Sequence, residues 1–112
     1  VYKRQPEGDP TELVGINTLV GDHASEVSVT ATKSAIGHTL GAAGAVAAVA
    51  VVKALDDGVV PPTLNLEQPD ERAGALDLTP LEARERELEV ALINAFGFGG
   101  QNAAVILQRW NS

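Results

Sequence analysis

Apolar positions along this chain fall into distinct patterns, each pointing to a different element. In "GDPTELVGINTLVGD", Leu13, Ile16, Leu19 and Val20 recur at helical spacing. Asp9 suits an N-cap, Pro10 a first helical position, and Glu12 follows Asp9 by three, a capping-box-like start. The pattern predicts a helix over 10–20, ended by Gly21-Asp22. "EVSVTAT" alternates and is β-branched, which predicts a strand from Val27 to Thr32. A loop then leads to a helix from Thr39 to Asp56, with Gly58 as its C-terminal cap. That helix is apolar on every side until Lys53, the pattern of a buried helix, and its Gly and Ala residues let other backbones approach. It cannot hold itself and needs surfaces on most sides.

The second half is more broken. Pro61-Pro62 forbids further helix, so "PPTLNL" should run extended. "EQPDERAGALDLTP" reads as an acidic surface loop. "LEARERELE" has Glu82 and Arg86 at helical i, i+4 spacing but reads better as a solvated approach to a strand. "VALIN" is an apolar strand over 90–94, "AFGFGGQN" a glycine-rich turn, and "AAVILQR" a returning antiparallel strand.

Composition narrows the classes. The chain has 112 residues, enough for one small domain, and 45% of them are hydrophobic, which excludes a disordered tail. Only 4% are aromatic, so the core must come from Val, Leu, Ile and Ala. A net charge of −7 with scattered Lys and Arg excludes a nucleic-acid binder. No cysteine is present, hence no disulfide, no thiolate nucleophile and no cysteine zinc site. Two histidines do not make a metal centre, and neither metal nor cofactor is expected. The apolar run over 40–52 is too short to span a bilayer, and no secretory h-region is evident, so the expectation is a cytoplasmic protein without a membrane partner.

The opening residues "VYKRQ" fit nothing that follows. They match a translation of GTG TAT AAG AGA CAG, a string that resembles a transposon adapter used in sequencing. Residues 1–5 are therefore expected to be non-native, and residues 6–112 one fragment.

Candidate chemistry lies in "KSAIGHTLGAAG", where Lys33 and His38 precede the apolar helix. Gly37, Gly41 and Gly44 suggest a nucleotide-binding loop, but the spacing is wrong, the turn after the strand is slack, and Pro61-Pro62 stands where a second strand should follow. Taken alone, His38 also fits a histidine that caps the helix, Lys33 a surface lysine, and the Phe98 loop a plain hairpin turn.

Together, "PEGDPTE", "TKSAIGHTLGAAGA", "VVPPTLNLEQPD" and "INAFGFGGQN" resemble, in order and spacing, four blocks of the elongating β-ketoacyl-[acyl carrier protein] synthases of the thiolase-like superfamily. The resemblance runs from Pro6 to about Arg109. Where that family has HGTGT, this chain has "VYKRQ", and the family's nucleophilic cysteine lies upstream of anything here.

The resemblance implies an α/β fold: the C-terminal portion of a layered αβαβα architecture, with the Ala/Gly helix buried against a mixed sheet. It implies decarboxylative condensation of a malonyl carrier protein with an acyl-enzyme thioester, in a homodimer whose partner is acyl carrier protein. The carrier's docking patch would lie outside this acidic segment, and the fragment alone should be inactive. His38 matches the second catalytic histidine, whose Nε2–H would donate to the malonyl thioester oxygen. Lys33 matches an organising lysine kept charged by Glu12. Phe98 matches the gate residue whose N–H helps form an oxyanion hole. A dry helix mouth would strengthen those bonds. Thiolases, with a similar histidine block, need a cysteine in the C-terminal loop, which reads "FGFGG" here. A polyketide ketosynthase and a non-catalytic chain-length-factor-like subunit remain the alternatives.

Overall fold

The computed structural model describes residues 8–111. The reading of "VYKRQ" and the Asp9 carboxylate as a cap lie outside the described residues. In chain order the elements are α1 (Gly8–Val20), a 3-10 turn (Gly21–Glu26), α2 (Lys33–Ile36), a 3-10 turn (Leu40–Ala42) and α3 (Ala43–Asp57). There follow β1 (Val59–Val60), a 3-10 turn (Glu71–Ala73), β2 (Arg84–Glu85), β3 (Val90–Phe96) and β4 (Asn102–Gln108). The chain divides into two compact units, one of Val1–Gly37 with Val60–Arg84, the other of His38–Val59 with Glu85–Ser112.

In the first unit, α1 packs on a small core of Leu13, Ala24, Ala73 and Leu76, flanked by Ile16, Val20, Val27, Val29 and Leu78. Leu19, expected on the same stripe, is exposed. It lies roughly 120° around the helix from Leu13. The i+4 position from Leu13 is Asn17, and its amide is shared among the carbonyls of Leu13 (3.1 Å), Arg72 (3.2 Å) and Ala73 (3.0 Å). A polar side chain thus ties α1 to the 71–73 turn.

The segment 67–80 is more than the acidic surface loop expected. Its charged Glu67, Glu71 and Arg72 stay exposed, but Ala73 and Leu76 fold under α1 and Thr79 is wholly buried. Asp70 caps the 71–73 turn, accepting from the Arg72 backbone N–H at 2.9 Å. Hydrogen bonds from the Arg72 guanidinium hold its carboxyl below the ordinary carboxylate range.

The strand predicted over 27–32 is not one. A single parallel bridge joins Ser28 to Asp77, with Val29 N–H donating to Asp77 O (2.7 Å) and Asp77 N–H to Val27 O (3.1 Å). Beyond that bridge the neighbouring segment turns to Thr63, whose N–H donates to Thr79 O at 2.7 Å. Hydroxyls then take over the backbone of 29–31. Thr79 Oγ1 donates to Val29 O (3.1 Å), and Thr63 Oγ1 accepts from Ala31 N–H (3.4 Å). Thr30 Oγ1 donates to Pro61 O at 2.7 Å. "PPTLNL" is extended as far as Thr63 and then turns at Leu64-Asn65.

In the second unit, α3 ends as its sequence requires. Gly58 adopts φ 68°, ψ 32° and its N–H donates to Ala54 O at 2.9 Å, a left-handed cap that a Cβ would strain. "LEARERELE" is not helical; it contains only β2. β3 and β4 form the expected antiparallel hairpin, with Val90 opposite Gln108 and Phe96 opposite Asn102. α3 packs against this hairpin. β1 and β2 form a second two-stranded sheet, and isolated parallel bridges join Ser28 to Asp77 and Thr63 to Pro80 in the first unit.

In this chain by itself α3 is covered on one face only. Only Leu55 is buried, while Val49 is 66% and Val52 55% exposed. One face meets the hairpin, and among the described residues nothing in this unit covers the other. Ile106 and Trp110 are exposed as well. Residues 6–112 as an isolated monomer are therefore expected to melt broadly, because so much apolar surface gains nothing from folding. Circular dichroism on heating checks this; a sharp cooperative transition would contradict it.

Candidate active site

His38 sits in the connection between Gly37 and the 3-10 turn that opens α3. Its Nδ1 accepts a hydrogen bond from the Leu40 backbone N–H at 2.9 Å. An atom that accepts cannot carry the proton in the neutral ring, so the proton resides on Nε2. Nε2 has no hydrogen-bond partner among the described residues, and His38 is exposed. His38 thus caps the 3-10 turn and not α3 itself, and its two nitrogens leave room for a donor role beside that contact.

The geometry has a local cost. Leu40, whose N–H meets the ring, adopts φ 52°, the left-handed region that an L side chain rarely enters, and so redirects the chain into the 3-10 turn. Gly37 adopts φ 75°, where glycine carries no penalty. Such strain persists only where surrounding structure enforces it, and it gathers at functional sites.

The expected dry mouth is not present in this chain. His38, Leu40 and Phe98 are all exposed, so water reaches the ring here. The helix dipole is also further off than expected: Thr39 and the Leu40–Ala42 turn separate His38 from the first residue of α3, and the dipole's effect fades within the first turn.

Phe98 lies at the tip between β3 and β4 and is 96% exposed. Gly97 N–H closes the loop by donating to Gln101 O at 2.7 Å. Gly99 and Gly100 adopt φ 84° and 77°, where other residues would be strained. The Phe98 N–H has no acceptor among the described residues, as an oxyanion donor requires. Asn94 and Phe96 lie on β3 opposite Ala104 and Asn102.

Lys33 and Glu12 belong to the first unit. Lys33 begins the one-turn helix α2 instead of lying in a loop, and its carbonyl accepts from Gly37 N–H at 2.9 Å. Lys33 is half-buried and forms no salt bridge among the described residues; Glu12 is engaged in other contacts. Partial hydration explains why no ion pair is enforced, since the drive to pair comes from desolvation. Among the described residues no group of three potential ligands could hold a metal ion, and no helix is long and apolar enough to cross a membrane.

Leu40 was not legible as a contributor to this site, because it acts through its backbone N–H, which no residue pattern announces.

A histidine-bearing turn before an Ala/Gly helix, backed by a hairpin with a glycine-rich tip, defines the C-terminal part of a ketosynthase. Solved structures agree. The chain is similar to the AntDE:AntF complex, a type II PKS acyl-carrier protein with its ketosynthase bound to the hexaketide, at TM-score 0.82 and 28% identity over 89% of this chain and 24% of that one. It is similar to the ishigamide ketosynthase/chain length factor at TM-score 0.81 and 34% identity, over 92% and 25%. Residues 5–67 match the family "Beta-ketoacyl synthase, C-terminal domain", and the chain belongs to the β-ketoacyl synthase family. A curated relative, 3-oxoacyl-[acyl-carrier-protein] synthase 2 of Rhizobium meliloti (strain 1021), is 54% identical over 91% of this chain and 24% of its own length. The chain spans about a quarter of the length of the curated relatives it matches.

The tautomer is open to direct measurement. Nitrogen-15 NMR of the histidine-labelled protein at a pH where His38 is neutral should show Nδ1 without a proton and Nε2 with one. A protonated Nδ1 would contradict the Leu40 bond.

Proposed function

We propose that the whole protein is an elongating 3-oxoacyl-[acyl-carrier-protein] synthase that joins a malonyl carrier protein to an acyl-enzyme thioester. The observation that carries this reading is the Leu40 N–H on His38 Nδ1, which leaves Nε2–H as a fixed donor. When the malonyl group loses CO2, the electron pair of the broken C–C bond passes into the thioester, and negative charge collects on its oxygen. An N–H already aimed there stabilises that charge without reorganising, an effect worth about 2.7–4 kcal/mol. The enolate carbon then attacks the acyl thioester and the cysteine thiolate leaves. That cysteine, and the family's other histidine, would come from the part of the protein outside this chain.

The Phe98 N–H, free at the hairpin tip, is the donor proposed for the oxyanion of the second step, and its ring the gate for the acyl chain. The flanking glycines at positive φ support a tip that can move. Lys33 is proposed as an organising charge and not a nucleophile, with Glu12 as its partner in the complete site. Acyl carrier protein as partner, a homodimer and a cytoplasmic setting belong to the same proposal. The carrier-protein partner is supported by the Rhizobium meliloti relative and by the ketosynthase–carrier complex.

A second reading is a polyketide ketosynthase or a chain-length-factor-like subunit, favoured by the two structural neighbours just described. The presence or absence of the upstream cysteine separates the catalytic from the non-catalytic form. Retention of both Lys33 and His38 favours the catalytic one.

In the complete enzyme, His38→Ala is expected to lower decarboxylation of malonyl carrier protein by a factor of roughly 10²–10³ or more. The assay is CO2 release. An unchanged rate would remove the role given to His38.

A further inference from the structure

The turn that carries Lys33 is short. α2 has four residues, a single turn, and one turn of helix does not hold its own conformation in water. What fixes it is the next side chain. Ser34 is only 9% exposed, and its hydroxyl uses both its capacities. It donates to Ala31 O at 2.7 Å, closing the turn on itself. It accepts from the Leu64 N–H at 2.8 Å, tying the turn to a segment thirty residues away.

Leu64 is well anchored. Its neighbour Thr63 is buried; Thr63 Oγ1 donates to Leu78 O (2.8 Å) and accepts from Ala31 N–H (3.4 Å). The Thr63 backbone is held on both sides, its N–H donating to Thr79 O (2.7 Å) and its carbonyl accepting from Leu81 N–H (3.1 Å). Two hydroxyls thus grip the chain on either side of Ala31 and deliver Lys33 at one end of a fixed turn. Among the described residues the Lys33 ammonium has no salt bridge, so here its placement depends on the backbone beneath it.

We propose that Ser34 is a positioning residue for Lys33, setting where the ammonium stands through the hydroxyl bridge from Ala31 O to Leu64 N–H. The inference rests on the organising role given to Lys33 above. Removing the hydroxyl leaves the Leu64 N–H without its acceptor and the turn without its tether. The turn would then sample other placements, and the site would spend part of its time without its charge.

The test is a double-mutant cycle in the complete enzyme, reading kcat and KM for decarboxylation of malonyl carrier protein. Ser34→Ala should lower kcat roughly tenfold, the worth of one or two such bonds, and leave KM unchanged. Lys33→Ala should lower kcat too, and adding Ser34→Ala to it should cost nothing more. Ser34→Thr, which keeps the hydroxyl, should recover most of the rate. Should Ser34→Ala not fold, Ser34→Cys, with a weak donor in the same place, is read in the same cycle. An equal loss from the Ser34 change in both backgrounds would mean a merely structural residue and overturn the proposal. So would a full rate in the Ser34 variant alongside a slow Lys33→Ala. A full rate in Lys33→Ala removes the role of Lys33 itself, a result distinct from either.

Discussion

The hydrogen bond from Leu40 N–H to His38 Nδ1 constrains more of this molecule than its single contact suggests. It ties the ring to the backbone two residues on, at the point where Leu40 enters the left-handed region at a cost that glycine would not incur. It decides which imidazole nitrogen keeps the proton. It also places the ring before the 3-10 turn and α3, so the donor stands clear of the helix it introduces. The chemistry proposed for the ring follows from this bond, because a rotating imidazole would present donor and acceptor indifferently to a developing anion.

The first unit uses a different device. Where a continuous parallel ladder is absent, backbone groups at 29–31 are satisfied by the hydroxyls of Thr79 and Thr63, and Ser34 extends the pattern to Leu64. Thr79 and Thr63 are nearly or wholly buried, yet neither hydroxyl is orphaned, and no buried side-chain polar atom lacks a partner among the described residues. Such a network specifies geometry more sharply than apolar contact does. A hydroxyl has a few allowed directions, and a buried one that misses them forfeits about 1–3 kcal/mol. The small apolar core of Leu13, Ala24, Ala73 and Leu76 holds the unit together, and the hydroxyls set its details.

The second unit is less self-sufficient. α3 and the β3–β4 hairpin share one face, and the remaining apolar surface of both is exposed. Val49, Val52 and Ile106 follow the sequence pattern of residues that are covered, not of residues that meet water. In a chain spanning about a quarter of its relatives' length, that pattern is intelligible as a record of the complete protein's packing.

By itself the sequence determined the elements whose signals are local: α1, the cap at Gly58, the β3–β4 hairpin and its glycine tip. Each rests on φ preference, periodicity or turn chemistry, which act over a few residues. It also placed Lys33, His38, Phe98 and Glu12 in a recognisable order. Tertiary structure alone decided the rest. Residues 27–32 have every local mark of a strand, but a strand exists only where a partner continues beside it, and Asp77 does so for one bridge. Ala73, Leu76 and Thr79 became core within a segment whose charges suggested surface, because folding under α1 is a long-range contact. The His38 tautomer, the strain at Leu40 and the grip of Ser34 on Leu64 depend on where backbone N–H groups arrive in space, and residue identity carries no record of that.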